Sequence, residues 1–460
     1  MSMKNKVSIL GGGPAGMAIA HYAKKVGYNF ELFEASDVLG GNCITLNEND
    51  FMFDSGAHRL HDKDPETTEV IKTLLKEDLQ LINVPSQIML DDEFIDFPLS
   101  PLELIKYLGL PSFFMEGLKI LLYTQFKKSK PSNFKQLAEK SYGNKISNLF
   151  LLNYTEKLWG LPPERLSIQV AGNRLKGLNV KTFLKELFFG KQEKTVHLDG
   201  SFYYPKYGIG TIFDQIEQAC GSNCFLRNNR ITKIHHSNNR IHSLELNNHE
   251  QLHQVEHIAS SLPLSLTINL LNPPAPKEII DISNSLKFRN IILLAFFIDK
   301  ETINSNGSMY FPSTRYPFTR IYEPRNRSKW MAPEGKTSLV VEIPCHKGDE
   351  IWTKDEDELT RDIISELLNL SFFKEEELIG NKIHRIHHAY PILEVGFEEK
   401  ITLLYEYLNT FENIDITGRN GLFAYSHIHD HMINARTVVS NFSKNTNVTI
   451  SQIEKFEPQE

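Results

Sequence analysis

Residues 6–36 read KVSILGGGPAGMAIAHYAKKVGYNFELFEAS, and their pattern decides the fold. KVSIL is a short apolar strand. GGGPAG turns the chain, after which Ala18, Ile19, Tyr22 and Ala23 recur at helical spacing. FELF is a second strand, ending in Glu34. The unit is a βαβ crossover carrying G-x-G-x-x-G at Gly11, Gly13 and Gly16. Gly11 makes the tight turn, Gly13 admits a pyrophosphate close to the backbone, and Gly16 lets the helix pack on the strand. The helix opens with Pro14 and Ala15, and its N-terminus is the expected seat of the pyrophosphate. Glu34 lies eighteen residues past Gly16 (34 minus 16), where a carboxylate accepts hydrogen bonds from ribose hydroxyls. Its charge would repel a 2′-phosphate. Ala35, beside it, is assigned to the cofactor as well.

A second glycine pair follows the acid at once, Gly40-Gly41-Asn42. A nicotinamide dehydrogenase has no need of one there. FAD is longer, and its flavin end needs more backbone around it. Gly208 and Gly210 in KYGIGTIFD lack a preceding apolar strand and a third glycine, so no separate NAD(P)H domain is expected.

The bulk numbers set the frame. A chain of 460 residues suggests two or three lobes. Apolar residues are 41% and charged residues 23%, a globular balance that can bury a large core. A net charge of −7 gives no general attraction to nucleic acid. Cys43, Cys220, Cys224 and Cys345 read as reduced thiols in a cytoplasmic protein. The greasiest stretch, residues 108–126, is interrupted by Pro111, Glu116 and Lys119, so a partly buried helix is expected and no membrane span. Residues 63–200 read mostly as helices. RITKIHHSNNRIHSLEL reads as a hairpin turning at Asn238-Asn239, and residues 289–345 are strand-rich.

From Gly40-Gly41-Asn42 and FDSGAHRLH onward, the chain resembles the FAD-dependent amine oxidase and protoporphyrinogen oxidase-like superfamily, which also holds phytoene desaturases and UDP-galactopyranose mutases. Gly-Gly-Asn and Gly56-Ala57-His58 are most similar to the mutases, the latter like their Gly-x-His before the isoalloxazine. NYTEKLWG, residues 153–160, resembles their YTEKQWG, whose tryptophan lines the sugar-nucleotide pocket. The resemblance further implies pyrophosphate-binding arginines at Arg174 and Arg320, tyrosines on the substrate phosphates at Tyr390 and Tyr425, and a Gly-Arg turn at FAD in Gly418-Arg419. It also implies cofactor contacts near Ile231, at the adenine, and at Met432. Where the mutases carry Asp-Met-Asp after the last tyrosine, this chain has His427-Ile428-His429, then Asp430 and His431. No carboxylate or cysteine cluster is read as joining these histidines, so no metal is expected, and the stretch is taken as a helix start against the flavin.

The implied fold is α/β: a discontinuous Rossmann-type FAD-binding domain over residues 1–62, 200–265 and 410–455. A helical substrate lobe covers 63–199 and a mixed-sheet lobe 266–409. Two functions fit. One is a mutase-like reaction of a nucleoside-diphosphate sugar at flavin N5 without net redox. The other is an oxidoreductase transferring hydride from substrate to flavin. The partner is a small molecule, not nucleic acid, with a homodimer the one protein assembly considered. Trp159 is expected to stand as an open stacking platform, because Thr155, Glu156 and Lys157 around it are polar and tryptophan is rarely fully buried.

Overall fold

The computed structural model describes residues 6–126, 130–172, 201–248 and 251–442. At its centre, β1 (Lys6–Leu10) lies between β2 (Asn29–Phe33) and the strand His257–Ser260. Phe225–Leu226 and Ile414–Ile416 complete a five-stranded parallel sheet. Val7, Ile9 and Leu10 are buried, as the middle strand of a sheet covered on both faces requires. Three separated stretches of chain therefore build one sheet.

The helix α1 (Pro14–Lys25) begins with proline at its first position, where the missing N–H costs nothing. Its apolar face packs with helices Thr211–Cys220 and Ile428–Phe442 in one core cluster. Gly16 is the contact point with the preceding turn. A Cβ there would lie 1.9 Å from the Gly11 carbonyl oxygen, and Gly11 itself has φ +95°.

The second lobe is a seven-stranded sheet whose longest buried strand is Phe288–Ile298. Its alternation splits cleanly. Ile292, Leu294, Phe296 and Ile298 face a core shared with helix Glu356–Asn369. Ile291, Leu293, Ala295 and Phe297 face Phe51 and Phe53 of the glycine-rich end of the chain. Period-two burial on both faces joins this sheet to its two coverings.

The helical reading of residues 63–199 needs correction. Three strands interrupt it: Leu79–Asn83, Ser86–Leu90 and Glu93–Phe97. The last two form a hairpin whose Asp91-Asp92 turn has φ +47° and +65°, and Ser86–Leu90 pairs in parallel with Ser308–Tyr310 of the large sheet. The alternation in SQIMLDDEFIDF is that of a strand pair, and an aspartate pair can adopt the positive φ that such a turn needs. The Asn238-Asn239 hairpin forms as read, with φ +49° and +58°.

The helix Leu152–Trp159 ends at Gly160, in the left-handed region at φ +70°. Two cations peg this end, the half-buried Lys157 and the buried Arg289. Lys157 Nζ donates to the carbonyls of Phe311, Ser313 and Phe318 at 2.8, 2.7 and 2.6 Å. Arg289 donates to the carbonyls of Lys157, Leu158 and Pro344, satisfying two of the helix's last acceptors. Burial pulls the Lys157 ammonium down to about 7, although each of its three donors has found an acceptor. Lys157→Met strips three carbonyls of a charged donor, so a loss of roughly 2–3 kcal/mol is expected in denaturant unfolding. An unchanged midpoint would show that Lys157 pegs nothing.

Candidate active site

One cavity of about 1240 Å³ runs between the lobes, from the glycine turn to the end of helix Leu152–Trp159. At its first end lie Gly11, Gly13, Pro14, Ala15, Glu34 and Gly41. The Glu34 carboxylate is already oriented. Its Oε2 accepts the Gly12 N–H at 2.7 Å, and its Oε1 accepts the Ser36 N–H and hydroxyl at 2.8 and 2.9 Å. One lone-pair direction on Oε2 stays open. Gly41 has φ +54°, and a Cβ there would lie 2.9 Å from the Gly13 Cα, so two backbones cross where only glycine fits.

In the middle stand Asn42, His58, Gly418 and Arg419. His58 Nε2 donates to the Asn42 carbonyl at 3.0 Å, which places its proton there and leaves Nδ1 facing the Cys43 thiol at 3.8 Å. Burial, then the charges of Arg419, Arg327 and Arg320, push His58 down to about 3. It is a neutral donor. Arg419 spends its guanidinium on the carbonyls of Ser426 and Ala389.

At the far end Trp159, Tyr390 and Tyr425 form one aromatic wall. Trp159 lies 5.8 Å from the Tyr390 ring and 5.9 Å from Tyr425, the two tyrosines stack at 5.7 Å, and Arg419 sits 5.4 Å from both tyrosine rings. Trp159 is only 2% exposed and belongs to the main core cluster. The open platform expected from its polar neighbours is corrected: Thr155 is buried and Lys157 is tied to distant carbonyls, so the indole is a wall of the cavity and core at once.

Arg320 also lines the cavity, but not as a free clamp. Its Nε and Nη2 grip Glu342 at 2.7 Å each, and Glu342 Oε1 also accepts the Ala57 N–H at 3.0 Å. Glu342, directly across the strands from Arg320, is a site residue missed in the sequence. Its signal was present, as the one charged residue in the buried strand TSLVVEIPC.

Some expected contacts fall elsewhere. Gly16 and Gly40 support the turns without lining the cavity, Ala35 is exposed, and Ile231 and Met432 are buried in core clusters. Arg174 lies outside the described residues. His427 and His429 stack at 5.4 Å on the cavity wall, and Asp430 bonds both rings and the His427 N–H. The ground for setting a metal aside therefore does not hold in one respect: a carboxylate does join these histidines, with ligand atoms within 4.8 Å of one another. Burial opposes ionisation of Asp430, yet the bonds from His427 and His429 outweigh it and hold the carboxyl well below its ordinary range. His431, buried behind them, is pushed down to about 3 by burial and then by Arg419.

A βαβ turn with room for a pyrophosphate, an oriented acid, and a long cleft beyond them define an FAD-dependent enzyme. The chain belongs to the flavin containing amine oxidoreductase family, whose model matches residues 14–386. It is 22% identical over 445 residues to coproporphyrinogen III oxidase of Bacillus subtilis (strain 168), spanning 90% of this chain and 93% of that one. Reduced UDP-galactopyranose mutase superposes with a TM-score of 0.83 at 18% identity, over 96% of this chain and 94% of that one. Putrescine oxidase bound to putrescine superposes with a TM-score of 0.63 at 13% identity, over 96% and 99%. Among the described residues no helix is long and apolar enough to cross a membrane.

Two glycines separate folding from cofactor retention. A Cβ on Gly13 meets only the Gly41 Cα, at 3.9 Å, whereas one on Gly16 collides with Gly11. Gly13→Ala should fold and lose FAD on gel filtration; Gly16→Ala should fail to fold. Equal FAD retention by Gly13→Ala and the parent would contradict this. Acidification offers a second check. His58 and His431 sit near 3 when folded against an ordinary 6.5, so the unfolded chain binds their protons first. Their stabilisation is complete above pH 6.5 and is lost as pH falls toward 3. His58→Asn keeps a donor for Asn42 but does not titrate, and should flatten the fall in melting temperature between pH 6.5 and 4.5. An identical slope in parent and variant would refute the assignment.

Proposed function

We propose that this enzyme is mutase-like and acts on a nucleoside-diphosphate sugar. The observation that carries the proposal is the grouping of Trp159, Tyr390, Tyr425 and Arg320 on one cavity beyond the cofactor end. Aromatic faces accept a base or a sugar ring, and a guanidinium accepts phosphate oxygens. The Glu34 carboxylate would hold the cofactor ribose, and the α1 N-terminus with Gly13 its pyrophosphate. Gly41, Asn42, Gly418 and Arg419 would follow it toward the flavin. The flavin, when bound, supplies N5, a nucleophile toward a sugar carbon or a hydride acceptor according to its redox state. The chain's own residues position and shield. Trp159, packed in the core, holds its ring without loss of side-chain freedom, and neutral His58 donates a hydrogen bond without adding charge. The residue ranges given for the FAD domain and the two substrate lobes belong to the same proposal.

One observation favours the second reading, hydride transfer from a less charged substrate. The Arg320 fork is already occupied, so a diphosphate would have to share it with Glu342. Calorimetric titration with UDP and uridine decides. In the mutase-like reading UDP binds more tightly than uridine, and Arg320→Met costs UDP on the order of 2–5 kcal/mol. Glu342→Gln loosens the competing carboxylate and should tighten UDP. Equal affinity for UDP and uridine would leave the oxidoreductase reading standing.

A further inference from the structure

Three arginines of the described residues line the cavity: Arg59, Arg320 and Arg419. Arg320 is paired with the Glu342 carboxylate through Nε and Nη2, and Arg419 gives Nε, Nη1 and Nη2 to carbonyls. Arg59 differs. Its Nη2 donates to the hydroxyls of Ser86 and Ser308 at 3.2 and 3.1 Å. Its Nε and Nη1 have no acceptor among the described residues, and no carboxylate of those residues lies within ion-pair distance. The Phe202 ring lies 5.1 Å from its guanidinium carbon, and burial lowers its pKa below the usual arginine value.

The support is built rather than incidental. Ser86 and Ser308 are opposite each other in the parallel pair that ties the 79–97 strands to the large sheet. Both are buried, and the Ser308 hydroxyl donates its own proton to the Gly307 carbonyl, so it can only accept from Arg59. The two hydroxyls hold Nη2 and leave Nε and Nη1 without an acceptor among the described residues, on a side chain that lines the cavity. A charge held in a low-dielectric cleft without a counter-ion is costly unless an anion completes it.

We propose that Arg59 is an anion subsite of the cleft, taking a carboxylate or phosphate group of the substrate. Ile88, Leu99 and Leu104 line the same cavity, so an acid with an apolar body fits as well as a phosphate ester. The subsite stands apart from the choice between nucleotide sugar and other substrates. It requires only that the FAD-loaded cleft admit an anion.

The test titrates FAD-loaded enzyme by calorimetry with inorganic pyrophosphate, octanoate and UDP in separate arms. The proteins are the parent, Arg59→Met and Arg59→Lys, with FAD content and melting temperature recorded for each. At least one anion should bind the parent and weaken on the order of tenfold to a hundredfold in Arg59→Met, with Arg59→Lys between, because lysine keeps the charge but not the fork. Which anion responds identifies phosphate or carboxylate as the source. If Arg59→Met does not fold, Arg59→Lys carries the comparison, with a several-fold loss expected. Failure of all three anions to bind the parent, or equal affinity in parent and variants, overturns the subsite. UDP binding indifferent to Arg59 beside octanoate binding that depends on it would fault the nucleotide reading alone. UDP binding with no dependence of any anion on Arg59 would fault the subsite alone.

Discussion

The crossing of α1 over the turn after β1 is the constraint on which the rest depends. At Gly16 the helix stands so close to Gly11 that no side chain fits between them. That closeness aims the helix N-terminus at the cavity and sets the Gly13 backbone directly against that of Gly41. It also brings the Gly12 N–H to the Glu34 carboxylate. One contact thus sets the position of the pyrophosphate seat and of the acid together. The parallel sheet behind it is assembled from distant stretches, and helix Ile428–Phe442 packs on α1 to bring the histidines at its start to the same cleft.

The far end of the cleft is organised by buried and half-buried cations, each with a different degree of satisfaction. Lys157 and Arg289 are spent on carbonyls and hold the end of the Trp159 helix against the large sheet. Arg320 is spent on Glu342, and Arg419 on the loop that carries Tyr425. The aromatic wall is therefore rigid before any ligand arrives, which lowers the ordering cost of binding. Among the cavity arginines of the described residues, Arg59 is the one held by neither a carboxylate nor a carbonyl, only by two serine hydroxyls.

Local features were legible in the sequence and non-local ones were not. The βαβ unit is encoded within thirty-odd residues by glycine spacing and apolar period, and the Asn238-Asn239 hairpin by two residues that tolerate positive φ. The strands at 79–97 were hidden among helices because they are short and broken by Pro85 and an aspartate turn. The burial of Trp159 was illegible for another reason: the carbonyls that take Lys157 out of solvent come from residues 311–318, far along the chain. The resemblance implies a cofactor contact at Met432, but on the helix Ile428–Phe442 successive residues point about a hundred degrees apart, and Met432 faces the core shared with α1.

Whether the cleft serves rearrangement or oxidation is tested most directly by product analysis of UDP-galactopyranose incubated without oxygen, with the enzyme either dithionite-reduced or left oxidised. Conversion to an isomeric sugar nucleotide by the reduced enzyme alone, with no reductant consumed per turnover, is the expected result. No isomer in either state, beside bleaching of the oxidised flavin by a porphyrinogen or an amine, would contradict it.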